Sequence, residues 1–406
     1  MLAPGCLHPL ALFMALVRLF VFLLLPFGTL DLPAATQLVA FTVQPGSGTL
    51  EKALAQRQKY SGPALVKLGA GEYRFNRSVI LPPHTHLSGE PGKTILRATP
   101  AANDQPCGLV VSSHCQLQNF TLLYERGRNR QQSSATAMVH VVGARDVTIR
   151  GLIVSGSASV GILLEAARQV TIRDCNVSGT LADGIHITNG SSDVLVHGCY
   201  VHHTGDDAIA TVSYRFKAAQ SRRITIRNNR VEHGLGRALT CIGSADVIIA
   251  DNRADDCIGG IYVAYESFYS TYAPENVSVE RNLVTRCGKR TGMQGLHVGS
   301  AHNVTFTNNT FRECLPGYVS NTGAGPNRSL LFQGNRFEKT IENGHSALEF
   351  LDTEELELRD NRFTQGHRPS LFFAPDVHAK TEAGTKLIAP SKPWHWPRRS
   401  YRHRMK

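Results

Sequence analysis

The sequence predicts an all-β fold, a single-stranded right-handed parallel β-helix with an N-terminal helical cap. Three observations point there. One seven-residue phrase recurs nine times, its closing residue is Asn in six consecutive copies, and an aliphatic strand follows several copies. The phrase runs from Asp146-Val-Thr-Ile-Arg-Gly-Leu through Gln169-Val-Thr-Ile-Arg-Asp-Cys to Glu355-Leu-Glu-Leu-Arg-Asp-Asn. Between these, copies start at Asp193, Arg223, Asp246, Asn276, Asn303 and Ser329. Apolar and polar residues alternate within it, which is the strand period of two. Several short strands in each such interval fit one coil of a β-helix. Leucine-rich repeats share the period but need a Leu-rich consensus and a helical turn per unit, and neither is visible.

Each element follows from a local signal. Residues 1–35 read as a secretory signal, with an uncleaved membrane anchor as the alternative. Leu19 to Leu25 forms a short apolar stretch behind Arg18, and Leu32-Pro-Ala-Ala35 supplies small residues for cleavage. Both place the body outside the cytoplasm, secreted or periplasmic in the first case and membrane-anchored in the second. Residues 36–110 read as the cap and first coils. Thr49 is expected to N-cap a helix over Leu50 to Gln58, with Glu51 in its first turn. Strands are expected at Ala64-Leu-Val-Lys-Leu and Ser78-Val-Ile-Leu. Residues 111–378 carry the repeats and 379–406 a basic tail.

The closing Asn residues, Asn229, Asn252, Asn282, Asn309, Asn335 and Asn361, are expected to stack inside one turn. Coils lie ~4.8 Å apart, so each Asn side chain can bond its copies above and below. Cys175 and Cys199 hold the same place two repeats earlier. Cys257, Cys287 and Cys314 form a second stack, each a few places after a closing Asn. They are expected to be buried, reduced fillers. No close Cys-x-x-Cys or Cys/His spacing exists, so metal binding by them is not expected.

Composition excludes several classes. Charged residues are 18% and hydrophobic residues 42% of 406, so the chain is not disordered by composition. The net charge is +11, but Ser391 to Lys406 holds six of the cations and no acid. The body is therefore not a nucleic-acid-binding surface. A monomer is expected. No cofactor is expected either; calcium, the alternative for clustered acids, needs a dense acidic ligand spacing that is missing.

Chemistry is expected where coil positions align. Just before the second strand the column reads Val160, Asp183, Asp207, Arg237, Gly259 and Gln294. Three residues on it reads Leu163, His186, Ala210, Thr240, Tyr262 and His297, which by strand alternation should face solvent. Asp206 adjoins Asp207, and His202, His203 and Glu266 fall in neighbouring turns. Carboxylates one coil apart repel when ionised, so one pKa should rise, as acid–base pairs require. Asp183, Asp206 and Asp207 are the expected catalytic residues. His186, His203, Arg237, Tyr262 and His297 are the expected substrate contacts.

Asp183-Gly-Ile-His-Ile-Thr-Asn-Gly, followed one coil later by Gly205-Asp-Asp-Ala-Ile-Ala, resembles the polygalacturonase family of glycoside hydrolases, whose fold is pectin lyase-like. That family has Asn-Thr-Asp-Gly-Ile-Asp and then Gly-Asp-Asp-Cys-Ile-Ala. The resemblance implies Asp206 as general acid, with Asp183 and Asp207 activating water for inverting hydrolysis. This chain departs from the family at Gly236-Arg-Ala238, where the family has Gly-His-Gly. It departs again at Tyr262-Val-Ala264, where the family has Arg-Ile-Lys. The implied partner is a polysaccharide, with an acidic one admitted.

Two other functions use the same patch. A lyase or carbon-5 epimerase would employ His186, Arg237 and Tyr262 on an acidic polysaccharide. An inert β-helix would bind or help assemble a surface polysaccharide.

Overall fold

The computed structural model describes residues 38–381 and 385, except 101–104, 126–128, 218, 289–292, 342–343 and 365–369. The N-terminal apolar segment and most of the basic tail lie outside the described residues. Among the described residues no helix is long and apolar enough to cross a membrane.

Three parallel sheets of 14, 12 and 12 strands wind around one core. Every pairing between named strands is parallel and joins one coil to the next. The first sheet carries the recurring phrase, and its register pairs Val147 with Val170 and Thr148 with Thr171. The sheets continue from coil to coil across residue 110 without interruption. In each phrase the aliphatic residues at alternate places point inward. Val147, Ile149, Val170, Ile172, Val194 and Val196 are buried for this reason.

The phrase also shapes its own corners. Its sixth residue takes the left-handed conformation in copy after copy, as at Gly151, Asp174, Gly198, Asn228, Asp251 and Asn308. Gly, Asn and Asp are the residues that tolerate this conformation best, which explains their recurrence there. The chain then turns inward to the closing Asn.

Those six Asn residues form the expected ladder. Asn282 shows the pattern: its Oδ1 accepts from the backbone N–H of Asn252 at 3.0 Å and from Asn252 Nδ2 at 3.0 Å. Its own Nδ2 donates to the Ile249 carbonyl at 2.8 Å and to Asn309 Oδ1 at 2.9 Å. The ladder runs to Asn361, and Cys199 joins its other end by donating its backbone N–H to Asn229 Oδ1. Cys257, Cys287 and Cys314 are buried, with free thiols.

The single expected helix is present over Thr49–Arg57, one residue off the sequence expectation. Its N-cap is Gly48, in the left-handed conformation, and not Thr49. The Thr49 hydroxyl donates to the Gly46 carbonyl, and no side chain caps the helix. Leu50, Ala53 and Leu54 of this helix pack into the main core.

Candidate functional site

The candidate site lies on the outer face of the sheet that runs from Val79–Leu81 to Leu371–Phe373. The expected outward column is in register: Leu163 pairs with His186, His186 with Ala210, Ala210 with Thr240, Thr240 with Tyr262, and Tyr262 with His297. The other column agrees as well, since Gly161 N–H donates to the Asp183 carbonyl and Gly184 N–H to that of Asp207. Side chains a full coil apart in sequence thereby become neighbours.

The column does not face open solvent as alternation alone suggests. Ala210 and Thr240 are fully buried. Two loops cover them: one follows the strand Ile209–Val212, the other the strand Gly259–Ala264. An antiparallel bridge between Tyr214 and Thr271 ties the loops together. Beneath them Ala210, Val212 and Ile242 form a small second core, with Tyr214 and Tyr262 against it. The sequence holds a signal for these loops. The interval between successive phrases is longest at both of them, from Asp193 to Arg223 and from Asp246 to Asn276. Insertions in a solenoid go to loops, often over the binding face.

Most of the expected residues gather on this face. Asp183 Oδ2 and His186 Nδ1 bond directly. Asp207 Oδ1 accepts from the Arg237 backbone N–H at 2.8 Å, and its Oδ2 from Arg237 Nη1 at 3.3 Å. Arg237 Nη2 donates to Glu266 Oε1 at 2.8 Å, so Glu266 belongs to the site. The guanidinium also lies 4.0 Å over the Tyr262 ring, which stacks on His297 with centroids 4.9 Å apart. Asp206 sits at the mouth, its side chain 39% exposed against 10% for Asp183 and 8% for Asp207. Gly236 permits the close packing here. A Cβ at that position would lie 2.5 Å from the Asp206 carbonyl carbon and from the Asp207 nitrogen.

His203 is placed apart from this group. It follows the strand Tyr200–His202 of a different sheet, in the left-handed conformation, and its ring meets His202 and His233. Proximity in sequence to Asp206 does not carry it round the corner of the coil. Sequence reasoning missed Arg130, whose Nη1 donates to Asp206 Oδ2 at 2.5 Å. It also missed His140 and Glu165, on the same face toward the N-terminus, which bond at 2.9 Å. Arg130 belongs to an irregular segment with no register to project it onto the site. His140 was legible, because it pairs with Leu163 in the same outward column.

Electrostatics separate these groups. Burial pushes the Asp207 carboxyl up to about 7; Arg237 opposes the rise, and the Asp183 and Asp206 charges add to it. Burial works against a charged His186, but the Asp183 carboxylate outweighs it, helped by Asp207 and Asp206, so the imidazole's pKa is raised. His297 is brought down to about 4 by burial and by Arg237, and both its ring nitrogens are buried without a partner. Burial pushes the Tyr262 hydroxyl up as well, with Glu266 adding to the effect. Among the described residues no group of three or more His, Cys, Asp or Glu is arranged to hold a metal ion.

Such a site, an acidic cluster on the outer face of a β-helix, can move protons at a bond held against it. Residues 137–311 match the family model of the right handed beta helix region, which assigns the handedness. Residues 46–223 match a second model, the alpha-1,3-glucanase catalytic domain D2. No curated protein matches the chain. Among solved structures it is similar to the catalytic domain of a GH87 alpha-1,3-glucanase in complex with nigerose. That likeness has 16% identity, covers 87% of this chain and 69% of the other, and has a TM-score of 0.68. It is similar to the catalytic unit of the thermostable GH87 alpha-1,3-glucanase of Streptomyces thermodiastaticus at 17% identity, covering 87% and 68%, with a TM-score of 0.66. The Azotobacter vinelandii mannuronan C-5 epimerase A-module is similar at 16% identity, covering 85% and 95%, with a TM-score of 0.55. The chain thus shares the right-handed β-helix fold of carbohydrate-active catalytic domains.

Proposed function

We propose that this protein is a glycoside hydrolase that cleaves a neutral polysaccharide of the α-1,3-glucan class through Asp183, Asp206 and Asp207. One observation carries the proposal. Structures of the GH87 alpha-1,3-glucanase domain include Asp-to-Ala variants at three positions. The second lies as far along that chain from the first as Asp206 lies from Asp183. The third follows the second immediately, as Asp207 follows Asp206. The spacing is the same, on the same fold.

The roles follow from the surroundings of each carboxyl. Asp206, at the mouth, protonates the leaving oxygen, and the sugar displaces Arg130 from it. Asp183 and Asp207, deeper, hold and deprotonate the attacking water, so the product anomer is inverted. Asp207, lifted toward about 7 by burial, is a base matched to near-neutral conditions. His186 fixes the orientation of Asp183 through their direct bond.

The committed guanidinium of Arg237 favours a neutral sugar. It is held by Asp207, Glu266 and the Tyr262 ring. A lyase or epimerase needs a cation for the uronate carboxylate and a neutral base for the carbon-5 proton. Arg237 is occupied, and His186 is pushed toward its protonated form by Asp183. Action outside the cytoplasm, from the N-terminal apolar stretch, is part of the same proposal, and recovery of the protein from culture medium tests it.

The enzymatic test is incubation with α-1,3-glucan, scored for new reducing ends and, by NMR, for the first-formed anomer. Reducing ends of inverted configuration, lost in Asp206→Asn, are expected. An unsaturated product, or full activity in both Asp183→Asn and Asp206→Asn, would overturn the proposal.

A further inference from the structure

We infer that the two loops over the site carry an aromatic platform that binds a polysaccharide chain beyond the cleavage point. This deepens the hydrolase proposal and rests on it for the identity of the ligand. The observation is an exposed aromatic group beside a buried polar centre. Phe268 is 73% exposed, Tyr269 52% and Phe216 68%, among the most exposed large apolar side chains of the described residues. All three lie on the two loops that follow the strands Ile209–Val212 and Gly259–Ala264. Apolar side chains scattered singly over a surface are ordinary, whereas a group rimming a polar site marks a binding surface.

The loops are braced, so the rings are presented in place. Arg215 N–H donates to the Ser270 carbonyl at 3.0 Å, and Tyr272 N–H to that of Ser213 at 3.0 Å. The Arg215 guanidinium lies between the Tyr265 and Tyr272 rings, 5.8 and 5.9 Å from their centroids. At the base of the second loop, Glu266 receives Arg237 on its carboxylate, while its backbone N–H donates to the Thr271 hydroxyl at 2.9 Å. Phe268 and Tyr269 follow shortly after it and meet edge to face at 4.9 Å. Phe216 leans on Tyr214 at 5.6 Å. The loop that carries Phe268 and Tyr269 is thus tied to the site through Glu266 and Arg237.

The chemistry of the rings selects the occupant. A pyranose presents an apolar C–H face that packs on an aromatic ring, while its hydroxyls stay in water. Such contacts need no charge, in keeping with a site whose inner arginine, Arg237, is already committed. Pre-organised rings bind without the entropy cost of ordering a loop. A neutral chain lying across Phe268, Tyr269 and Phe216 would have one linkage at Asp206.

The test uses retention on insoluble α-1,3-glucan, with Asp206→Asn protein so that the matrix is not consumed. Phe268→Ala/Tyr269→Ala is expected to weaken retention by about tenfold or more, and Phe216→Ala by about threefold. The thermal midpoint should stay unchanged, because these side chains are exposed. Ile248→Ala, at an exposed apolar residue of another sheet, should keep full retention. Absence of retention in the parent, or equal retention in the double variant, would overturn the inference. So would an equal loss in Ile248→Ala. A dimer abolished by the double variant, with glucan retention intact, would assign the patch to a second copy and also overturn it. Retention through the platform without release of reducing ends from the unsubstituted protein would sink the hydrolase proposal alone.

Discussion

Replacing Arg237 with Met tests whether Asp207 is the base whose ionisation limits activity at low pH. The substitution keeps an unbranched stem and removes the charged head. Two effects then reach Asp207. It loses a cation whose Nη1 lies 3.3 Å from its Oδ2. It also gains an uncompensated neighbour, because Glu266 loses the same guanidinium. An opposite charge at this range lowers a carboxyl pKa by about 1–3 units, so its removal should raise that of Asp207 by a similar amount. With a starting value of about 7, the ionised fraction near pH 6 is roughly a tenth. A rise of one to two units cuts that fraction, and kcat/KM with it, by about 10- to 100-fold. Well above pH 8 the deficit should shrink. The assay is the pH profile of kcat/KM for Arg237→Met and Arg237→Lys on α-1,3-glucan. Lys keeps a charge but not the planar fork, so its ascending limb should move less. An equal loss at every pH, with the limb unmoved, would refute the role given to Asp207 and leave Arg237 as a packing residue.

Asn282→Ala should lower stability by about 2–4 kcal/mol, because two buried donors of Asn252 lose their acceptor in a single step; urea unfolding that gives less than about 1 kcal/mol would contradict the ladder. Stability should also fall as pH rises from about 4 to about 8. The folded pKa of Asp207 lies above its unfolded value, so its contribution is complete below the unfolded pKa and is lost through about 7, about 4 kcal/mol in all. His186, also raised, acts in the same direction: its share is present below the unfolded histidine value and is lost as pH passes its folded one. Asp207→Asn should flatten the slope measured by urea midpoints, and a slope unchanged in that variant would count against the buried acid. His186→Ala should cost about tenfold or more in kcat, since its bond to Asp183 is lost; a change below twofold would show that Asp183 is held without it. Alkylation of the unfolded protein followed by mass spectrometry should find Cys257, Cys287 and Cys314 as free thiols, and quantitative pairing among them would contradict the structure.

The solenoid and much of its site were legible in the sequence, because a repeat turns sequence spacing into spatial order. Val147, Val170 and Val194 occupy one inward row, and the six Asn residues one ladder, since identical places in successive coils must superpose. The same projection brought Asp183, Asp207, Arg237, Tyr262 and His297 to one face. It failed wherever the chain leaves the repeat. Arg130 reaches Asp206, far along the chain, from an irregular segment. Ala210 and Thr240 are buried by loops whose course follows from their pairing at Tyr214 and Thr271, and no strand period encodes that. His203 follows a strand of a neighbouring sheet, at a corner that directs its ring toward His233. The repeat by itself determined which residues stand in line, because the inward aliphatic pattern fixes the register of each coil on the next. Tertiary structure decided which of them are buried and paired, because burial and ion pairing depend on what the irregular segments lay over the sheet. Glu266 on Arg237 and Arg130 on Asp206 are the ion pairs that those segments add to the coils.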